Sequence, residues 1–332
     1  MADGATAVRR RETALPLTYM RAARLHDIGG TLQLDSLEDP VAADGEVLVD
    51  IAYASVNPLD VWISQGSPGM AGANLPWIPG SEASGHVDGQ PVIVRGGGLG
   101  FSRQGLFRDR ASVPSDSVLQ LPSGIDLRQV AGLAVVGITA WQALHACGSV
   151  QPDDRVVVLG ASGGVGSVAV QLAKAAGATV WGQTGSDANA AVITGDGADH
   201  VVVSGAEGLA TRLADFAPTL VLDPLGGAYT DAVVTSLSNR GRLVVYGTSE
   251  NEQVTFNMRQ MYRKAVSIFG YSGILGTPSD ERQVLSMLLA MMADGTLHIR
   301  LGDVLPLEEA GEAFSRILQR RAGGKLLLDP NA

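Results

Sequence analysis

The 332-residue sequence predicts a two-domain α/β protein in which a doubly wound parallel sheet follows an antiparallel, barrel-like unit. The chain is too long for one ordinary hydrophobic core, so two domains are expected. Short strand-like runs separated by Gly, Pro and Asp fill residues 19–122, and this spacing is typical of antiparallel strands. Farther along, apolar strands alternate with helices, which indicates a parallel sheet covered on both faces.

The antiparallel unit is predicted from four strand-like runs, which read YMRAARL, EVLVDIAYA, QPVIVR and SVLQLP. Between the last two lies a glycine-rich loop, VRGGGLGFSRQGLFRDR, which carries Arg95, Arg103, Arg108 and Arg110. We interpret this loop as a mobile hairpin whose arginine side chains are solvated.

The segment SVNPLDVWISQG, residues 55–66, follows a predicted strand. Asn and Pro favour turns for local backbone reasons, so one interpretation of Asn57 is a strand that ends in an Asx-Pro turn. The other interpretation is that Asn57 and Trp62 line a ligand site. The residues alone leave both open.

In the second half of the chain, the spacing of apolar residues changes, and helical segments alternate with strands. The run LRQVAGLAVVGITAWQALHA has apolar residues at helical spacing. The predicted strands of the parallel sheet are DRVVVLG, TVWGQTG, HVVV, TLVLD, RLVVYG and VSIFGY. The chain then continues with a helix in DERQVLSMLLAMMADG, a short strand-like piece, a second helix in LEEAGEAFSRILQRR and a terminal strand in GGKLLLDP.

A glycine loop joins the first parallel strand to its helix in VVVLGASGGVGSVAVQLAKAAGA. Gly163 and Gly166 occupy the second and third glycine positions of the dinucleotide-binding pattern, and Ala161 stands in the first. The amides that open the helix over residues 164–167 face the phosphates of a nucleotide, and the helix dipole assists them. The loop therefore predicts a dinucleotide cofactor.

The next strand favours NADPH over NADH. NAD-binding proteins place an acid on the adenosine ribose near the end of this strand, and no Asp or Glu stands beside Gly182 and Gln183. Gly185 and Ser186 follow and leave a small polar pocket compatible with a 2′-phosphate. We interpret Asp187 as a cap for the next helical turn.

Composition argues against several classes of protein. The net charge of −10 disfavours a nucleic-acid or anionic-membrane partner. The single cysteine, Cys147, permits neither an internal disulfide nor a thiolate zinc site, and the five histidines lack ligand spacing. The first residues carry no apolar export segment, and no stretch approaches the roughly 18 apolar residues that span a bilayer. We expect a cytoplasmic protein without a metal, with a flexible tail over residues 1–18.

Seven motifs follow one another in a fixed order from residue 19 onward: SVNPLD, LPWIPGSEASG, VVGITAWQAL, GASGGVG, GADHVV, GRLVVYG and GGKLLLDP. In this order they resemble the medium-chain dehydrogenase/reductase superfamily, and within it the zinc-independent quinone oxidoreductase branch that includes zeta-crystallin. The resemblance implies a Rossmann dinucleotide-binding domain over residues 138–275. It also implies a GroES-like antiparallel β-barrel catalytic domain over residues 19–137 and 276–332. A homodimer is expected through the strand near VSIFGY.

The resemblance gives Asn57 a role. Zinc-dependent members of the superfamily hold their metal with Cys, His and Cys, and the matching positions here are Asn57, Ser81 and Val135. The resemblance therefore implies a reductase without zinc. In the quinone reductase branch this Asn points toward the nicotinamide and the substrate. We predict that Asn57 donates a hydrogen bond to a carbonyl oxygen on which negative charge develops.

Trp62 departs from the branch, which often carries Tyr there. An indole has no proton to give at neutral pH, although its N–H donates a hydrogen bond. Together with Trp77 and Trp141, it forms either a flat slot for a planar acceptor or part of an interdomain core. The predicted catalytic residues are Asn57 and Trp62, and the predicted substrate pocket contains Trp77, Trp141 and Tyr271.

The matching family positions also predict the cofactor contacts. Asn189 and Ser204 stand where the family often carries Lys and Tyr for the 2′-phosphate, so NADH remains an alternative, and Arg321 is expected to compensate. The predicted cofactor-binding residues are Thr139, Ala161, Ser162, Gly163, Gly164, Val165, Gly166, Gly185, Ser186, Asn189, Ser204, Tyr246, Gly247, Thr248, Ser249, Phe269, Gly270, Tyr271, Arg321 and Lys325.

These features together predict an NADPH-dependent, zinc-independent reductase that transfers hydride to a quinone, an enone or an enal. An enoyl-thioester reductase is the nearest alternative, and it would take the cations for its charged substrate from the loop over residues 95–110. A non-catalytic NADPH-binding sensor is the alternative from another class.

Overall fold

The computed structural model describes residues 18–66 and 75–332, so residues 1–17 of the predicted tail lie outside the described residues. The strands, in chain order, are β1 (Tyr19–Leu25), β2 (Leu32–Glu38), β3 (Glu46–Ser55), β4 (Glu82–Val87), β5 (Gln90–Arg95), β6 (Arg110–Pro114), β7 (Val118–Gln120), β8 (Arg155–Val158), β9 (Thr179–Thr184), β10 (His200–Val203), β11 (Leu220–Asp223), β12 (Arg242–Val245), β13 (Ser267–Gly270), β14 (Leu301–Pro306) and β15 (Lys325–Asp329).

The α-helices, in chain order, are α1 (Pro58–Ser64), α2 (Leu127–Ala131), α3 (Ala134–Trp141), α4 (Gly164–Ala175), α5 (Ala190–Gly195), α6 (Leu209–Leu213), α7 (Gly227–Ser236), α8 (Met258–Lys264), α9 (Pro278–Ala293) and α10 (Ala310–Leu318). A π-helical segment, Gln142–Cys147, continues α3. None of the helices in the described part of the chain is long and apolar enough to cross a membrane.

One sheet is built from both ends of the chain. Its strand order is β14-β15-β3-β4-β5-β7, and β6 also pairs with β3. The pairs are antiparallel except β14 with β15, which is parallel. The inward side chains form one core that includes Ile51, Phe107 and Leu328. The last strand, β15, thus lies beside β3, the first long strand. The candidate site forms where these two strands meet.

The second sheet is parallel throughout, with the strand order β10-β9-β8-β11-β12-β13. This order is that of the Rossmann fold, and the direction of winding reverses between β8 and β11. The central strands β8 and β11 are buried on both faces, which explains their continuous apolar runs. The carboxyl ends of all six strands meet at one edge, where ligands bind in such sheets.

Helix α3 connects the two sheets. Its Leu133 N-cap and Ile138 belong to the same core cluster as Val168 of α4 and Leu288 of α9, and that cluster also contains Ile93 of β5. The predicted domain boundary between residues 137 and 138 falls inside this helix. The domain limits therefore stay a prediction.

The predicted fold class is confirmed: the structure has a six-stranded parallel sheet, a mostly antiparallel seven-stranded sheet, and a two-stranded antiparallel sheet of β1 and β2. Every strand-like run named from the sequence contains a strand of the structure. No segment of the sequence was assigned to β2, β4 or β6, or to helices α1, α5, α6, α7 and α8. These elements are short or half-exposed, so their apolar pattern is weak.

A close approach in the antiparallel sheet gives the first prediction. Gly85 of β4 lies opposite Ile51 of β3, and a Cβ atom there would overlap the carbonyl oxygen of Asp50. Gly85→Ala is expected to lower the free energy of unfolding by about 3 kcal/mol, because the two strands would have to separate. Urea denaturation measures the change.

The control is Gly311→Ala in α10, where an added Cβ meets no atom within 4 Å. This variant is expected to gain about 0.5–1 kcal/mol, because alanine favours the helix over glycine. Similar effects of the two substitutions would contradict the close approach.

Candidate active site

Asn57 lies at the junction between β3 and α1. The strand ends at Ser55 and the helix begins at Pro58, whose fixed φ suits the first helical position. The backbone N–H of Asn57 donates to Oδ2 of Asp60 at 2.8 Å, which satisfies a donor at the helix start. The turn interpretation of this segment was therefore incomplete, because Asn57 is the N-cap of a helix.

The Asn57 side chain contacts a buried ion pair. Nζ of Lys325 lies 3.0 Å from Oε1 of Glu82, and the two side chains are 5% and 0% exposed. Nδ2 of Asn57 donates to the same Oε1 at 3.0 Å, and its Oδ1 accepts a hydrogen bond from Nζ of Lys325. Oε2 of Glu82 accepts the backbone N–H of Val135 at 2.7 Å. We call Asn57, Glu82 and Lys325 the buried polar cluster.

Strand register brings the cluster together from distant parts of the chain. Lys325 begins β15, in which Leu327 lies opposite Ser55 of β3. Glu82 begins β4, which pairs with β3 along its other edge. At the end of β3, the ammonium of Lys325 from β15 therefore meets the carboxylate of Glu82 from β4.

The amide of Asn57 is almost fully used by these contacts. Nδ2 of Asn57 lies 3.5 Å from the carbonyl oxygen of Ser55, so the second N–H is at the limit of a hydrogen bond. The residue is 1% exposed. Only this N–H is left for an acceptor molecule. The direct donation predicted for Asn57 stays a prediction.

The three positions that match the zinc ligands of the superfamily carry different chemistry here. Ser81 is fully buried and its Oγ has no hydrogen-bond partner among the described residues. Val135 contributes only its backbone N–H. Across residues 18–66 and 75–332, no group of three or more His, Cys, Asp or Glu is placed to hold a metal ion. The cation at this place is the ammonium group of Lys325.

Asp60 lies beside the cluster and is 1% exposed. Burial raises the pKa of its carboxyl to about 6, the negative charge of Glu82 adds to the rise, and the Asn57 backbone N–H opposes it. Its Oδ1 has no hydrogen-bond partner in the described part of the chain. The carboxyl therefore titrates near neutral pH instead of near 4.

The glycine loop after β8 has the geometry of a phosphate cradle. Gly160 has a φ of +60°, a conformation that favours glycine, so it takes the turn role that sequence analysis gave to position 161. A Cβ on Gly166 would come within 2.8 Å of Cα of Ala161, so the helix packs against the strand only with glycine. Gly163 and Gly164 are exposed at the start of α4, with their backbone open to a ligand.

Two buried contacts that sequence analysis missed hold this loop. Oε1 of Gln183 accepts the N–H of Gly160 at 3.0 Å, and its Nε2 donates to the carbonyl of Ser204 at 2.6 Å. Arg300 donates to the carbonyl of Ser162, which fixes the loop from the side. A buried glutamine inside an apolar strand was the available signal.

The end of β9 is polar and uncharged. Ser186 caps a short turn by accepting the N–H of Ala188 at 3.3 Å, so it has the capping role that was predicted for Asp187. Asn189 donates to Thr184 at 3.2 Å, and Ser204 donates to the carbonyl of Gly205 at 2.8 Å. Gly185 is exposed beside them. Arg321 contacts Gln319 in the structure.

Another group of predicted cofactor residues lies at the ends of β12 and β13. Tyr246 follows β12, and its buried hydroxyl has no hydrogen-bond partner among the described residues; burial raises its pKa. Tyr271 follows β13 and its hydroxyl faces Thr139 of α3, while burial raises its pKa to about 12. Both phenols are therefore protonated at neutral pH, and Tyr271 is a poor proton donor. Gly247, Thr248 and Ser249 lie in the segment after β12, and Phe269 and Gly270 are the last two residues of β13.

These features fit a dinucleotide. The orphaned Tyr246 hydroxyl and the exposed glycine backbone lie at the carboxyl edge of the parallel sheet, on either side of the point where its winding reverses. The stem of Lys325 approaches the same loop, because a Cβ on Gly164 would lie 4.0 Å from Cδ of Lys325. The cofactor loop and the buried polar cluster are thus adjacent.

The three predicted tryptophans occupy different surroundings. Trp62 on α1 is 41% exposed, whereas Trp77 is 3% exposed and its indole N–H has no partner in the described residues. The ring centroids of Trp141 and His145 lie 4.0 Å apart, and Trp141 packs against the core around α3. Within the described residues, no ring contact joins these three indoles.

The interpretation of solvated arginines after β5 was wrong for two of the four. Arg108 is 8% exposed, and burial lowers its pKa to about 10. The Arg95 side chain is 11% exposed and lies 3.6 Å from Glu281. Arg103 pairs with Glu46 at 2.5 Å and Arg110 pairs with Asp50 at 2.5 Å, both nearer the surface. The antiparallel sheet and α9 supply these partners, which no local pattern reveals.

The buried ion pair gives a prediction about stability. Lys325→Met is expected to cost about 3–5 kcal/mol of unfolding free energy, because it leaves the Glu82 carboxylate buried without a cation. Adding Glu82→Gln removes that charge, so the double variant should cost less than the sum of the single variants. Chemical denaturation of the four proteins measures the coupling. As a control, Lys174→Met breaks an exposed pair with Asp199 and should cost less than about 1 kcal/mol.

A second prediction concerns pH and Asp60. Because its folded pKa is raised, the folded protein holds this proton more tightly than the unfolded chain, and stability is lost as the pH rises from about 4 through about 6. Asp60→Asn removes this loss. Relative to the wild type, the variant should gain about 1–2 kcal/mol between pH 5 and pH 8. Urea denaturation at both values tests this, with the exposed Asp153→Asn as control; a pH-independent difference would contradict the burial argument.

Two known families match the two parts of the chain. Residues 43–123 match the family described as alcohol dehydrogenase GroES-like domain, and they cover β3 to β7. Residues 164–290 match the family described as zinc-binding dehydrogenase, and they cover α4 to most of α9.

Relatives match over nearly the whole length. The chain is 28% identical to the quinone oxidoreductase of Homo sapiens over 323 residues, which cover 93% of this chain and 97% of that protein. The quinone oxidoreductase of Thermus thermophilus, also solved in complex with NADPH, has a TM-score of 0.81 at 26% identity and covers 93% of this chain and 99% of that one. A cobalt- and zinc-bound alcohol dehydrogenase of Pyrobaculum aerophilum has a TM-score of 0.81 at 28% identity, with 94% and 100% covered.

The matched families correspond to the two sheets, and the solved neighbours share the fold. The chain is similar to the medium-chain dehydrogenases/reductases and, among them, to the quinone oxidoreductases.

Proposed function

We propose that this protein is an NADPH-dependent, zinc-independent reductase that transfers hydride to an uncharged conjugated carbonyl: a quinone, an enone or an enal. The observation that carries the proposal is the approach of Lys325 to Gly164, which joins the cofactor loop and the buried polar cluster in one site. The quinone oxidoreductase relatives, and the neighbour solved with NADPH, support the same class.

Bound NADPH supplies the hydride and becomes NADP⁺, and a proton from solvent completes the reduced product. The chain's contribution is to hold two flat molecules in contact. The backbone of Gly163 and Gly164 would hold the pyrophosphate, and Thr139 and Tyr246 would hold the nicotinamide end. The remaining cofactor residues keep the roles that the sequence predicted.

The preference for NADPH rests on the end of β9. Ser186 and Asn189 offer hydroxyl and amide groups there, and the carboxylate that NAD-binding proteins use on the ribose is absent from this strand end in the described structure. The first carboxylate after the strand, Asp187, belongs to the short turn that Ser186 caps. We propose a preference for NADPH without exclusion of NADH.

For Asn57 we propose a role in positioning. Its amide holds the ammonium of Lys325 and the carboxylate of Glu82 in place, which uses most of its hydrogen-bonding capacity. Without Asn57, the ion pair would lose the group that fixes its orientation beside the cofactor loop. Loss of the amide should therefore reduce turnover more than cofactor binding.

The thioester alternative is disfavoured by the arginine loop. A CoA or carrier thioester brings phosphates that need unpaired cations. Arg95, Arg103 and Arg110 are already paired with Glu281, Glu46 and Asp50. Arg108 is buried. The loop offers little charge for such a substrate, so we propose an uncharged one.

A homodimer is proposed through β13, the edge strand of the parallel sheet. Phe269 on this strand is 38% exposed, and Ile274 after it is 61% exposed. An apolar sheet edge tends to pair with another strand.

The acceptor class is tested by NADPH and NADH oxidation at 340 nm. The panel contains 1,4-benzoquinone, 9,10-phenanthrenequinone, an enone, crotonaldehyde and crotonyl-CoA. We expect turnover of quinones or enones with a higher kcat/KM for NADPH. We also expect Asn57→Ala to lower kcat about tenfold or more, with little change in KM for NADPH, because the amide acts beside the chemistry.

Crotonaldehyde and crotonyl-CoA form a matched pair, since both carry the same conjugated group and only one carries phosphates. A clear preference for crotonyl-CoA would favour the thioester alternative. Tight NADPH binding without oxidation by any acceptor would favour the sensor alternative and contradict the proposal.

A further inference from the structure

A cavity of about 730 Å³ is lined by Arg95, which lies opposite Glu82 of the buried polar cluster in the pairing of β4 with β5. Its walls come from the glycine loop after β5, from the approach to β7, and from the segment between β13 and α9. Apolar groups of Phe101, Leu119, Ile138 and Leu285 line it. A volume of this size suits a small or medium organic molecule. Ile138 precedes Thr139, the predicted nicotinamide contact, so the cavity adjoins the cofactor site.

Arg95 is one of the charged residues that line this cavity. It is the last residue of β5, and its Nη1 donates to the carbonyl of Ser81 at 3.2 Å. Its Nε lies 3.6 Å from Oε2 of Glu281, close enough to balance charge and too far for a hydrogen bond. The Nε–H is buried and has no hydrogen-bond partner among the described residues.

A buried donor without a partner is unfavourable, so an oxygen that enters the cavity and reaches the guanidinium would gain a charge-assisted hydrogen bond. The carboxylate of Glu281 already balances the positive charge of Arg95. The cavity walls also contain one more cation, Arg282, and one more anion, Asp116. An anionic group is therefore not required. A neutral carbonyl oxygen fits both the unfilled donor and the balanced charge.

Resting on the proposed function, we propose that Arg95 donates a hydrogen bond to the carbonyl oxygen of the acceptor and stabilises the oxyanion that forms there. When the hydride bonds to the conjugated acceptor, an electron pair moves onto this oxygen, and water then supplies the proton. The amide of Asn57 is occupied by Lys325 and Glu82, so Arg95 is the better-placed donor.

Arg95 also joins Ser81 of the antiparallel sheet to Glu281 of α9, so a purely structural role has to be separated from the proposed one. The test uses Arg95→Met and Arg95→Lys. The control is Arg103→Met, which removes an arginine of the same loop that pairs with Glu46 nearer the surface.

For Arg95→Met we expect kcat/KM for an enone to fall about 100-fold, as when one oxyanion donor is removed. The KM for NADPH should stay within about twofold, and the isotope effect with deuterated NADPH should rise because hydride transfer becomes slower. The kcat/KM for a quinone should fall less than that for an enone, because reduction of a quinone depends less on stabilisation of the oxyanion. Arg95→Lys should recover part of the rate, and Arg103→Met should match the wild type.

Unchanged kcat/KM in Arg95→Met would overturn the proposal. An equal fall in kcat/KM for every acceptor, together with weaker NADPH binding and a lower Tm, would also overturn it, because that pattern indicates that Arg95 only stabilises the fold.

Binding of 2-methyl-1,4-naphthoquinone, followed by tryptophan fluorescence, separates this proposal from the proposed function. Weaker binding to Arg95→Met than to Arg103→Met supports the assignment of Arg95 even if the wild type reduces no acceptor. In that case the proposed function alone would be wrong. Equal binding to both variants overturns the assignment.

Discussion

The buried pair between Lys325 and Glu82 holds the site together. Either charge alone would be costly in an interior with almost no water, so each group requires the other. Because Lys325 begins β15 and Glu82 begins β4, their attraction fixes both strands against β3 and positions Asn57 between them. The stem of Lys325 also reaches Gly164, so one side chain connects the antiparallel sheet to the cofactor loop.

Local rules explain what the sequence predicted correctly. The parallel strands are buried on both faces, so each appears as a short apolar run whatever its neighbours are. The glycine at position 166 was recognised because its close contact with Ala161 excludes any side chain. Such constraints act within a few residues, and a single sequence displays them.

Contacts between distant residues explain what the sequence did not reveal. Lys325 meets Asn57 across 268 positions, and nothing near either residue indicates the other. Arg95 stands in a loop rich in glycine, where a solvated side chain is the ordinary expectation, yet Ser81 and Glu281 enclose it. Helix α1 was missed because seven residues that begin with Pro58 resemble a turn. These features depend on strand register, which local patterns do not encode.

The pairing of β15 with β3 also bears on how the protein is made. A ribosome delivers β3 and β4 more than 200 residues before β15. Until β15 arrives, Ala54 and Ser55 of β3 lack their partner strand, and the Glu82 carboxylate lacks its ammonium partner. Contacts of such long sequence separation form late and slow folding. The newly synthesised chain therefore depends on β15 to complete the sheet that carries the candidate site.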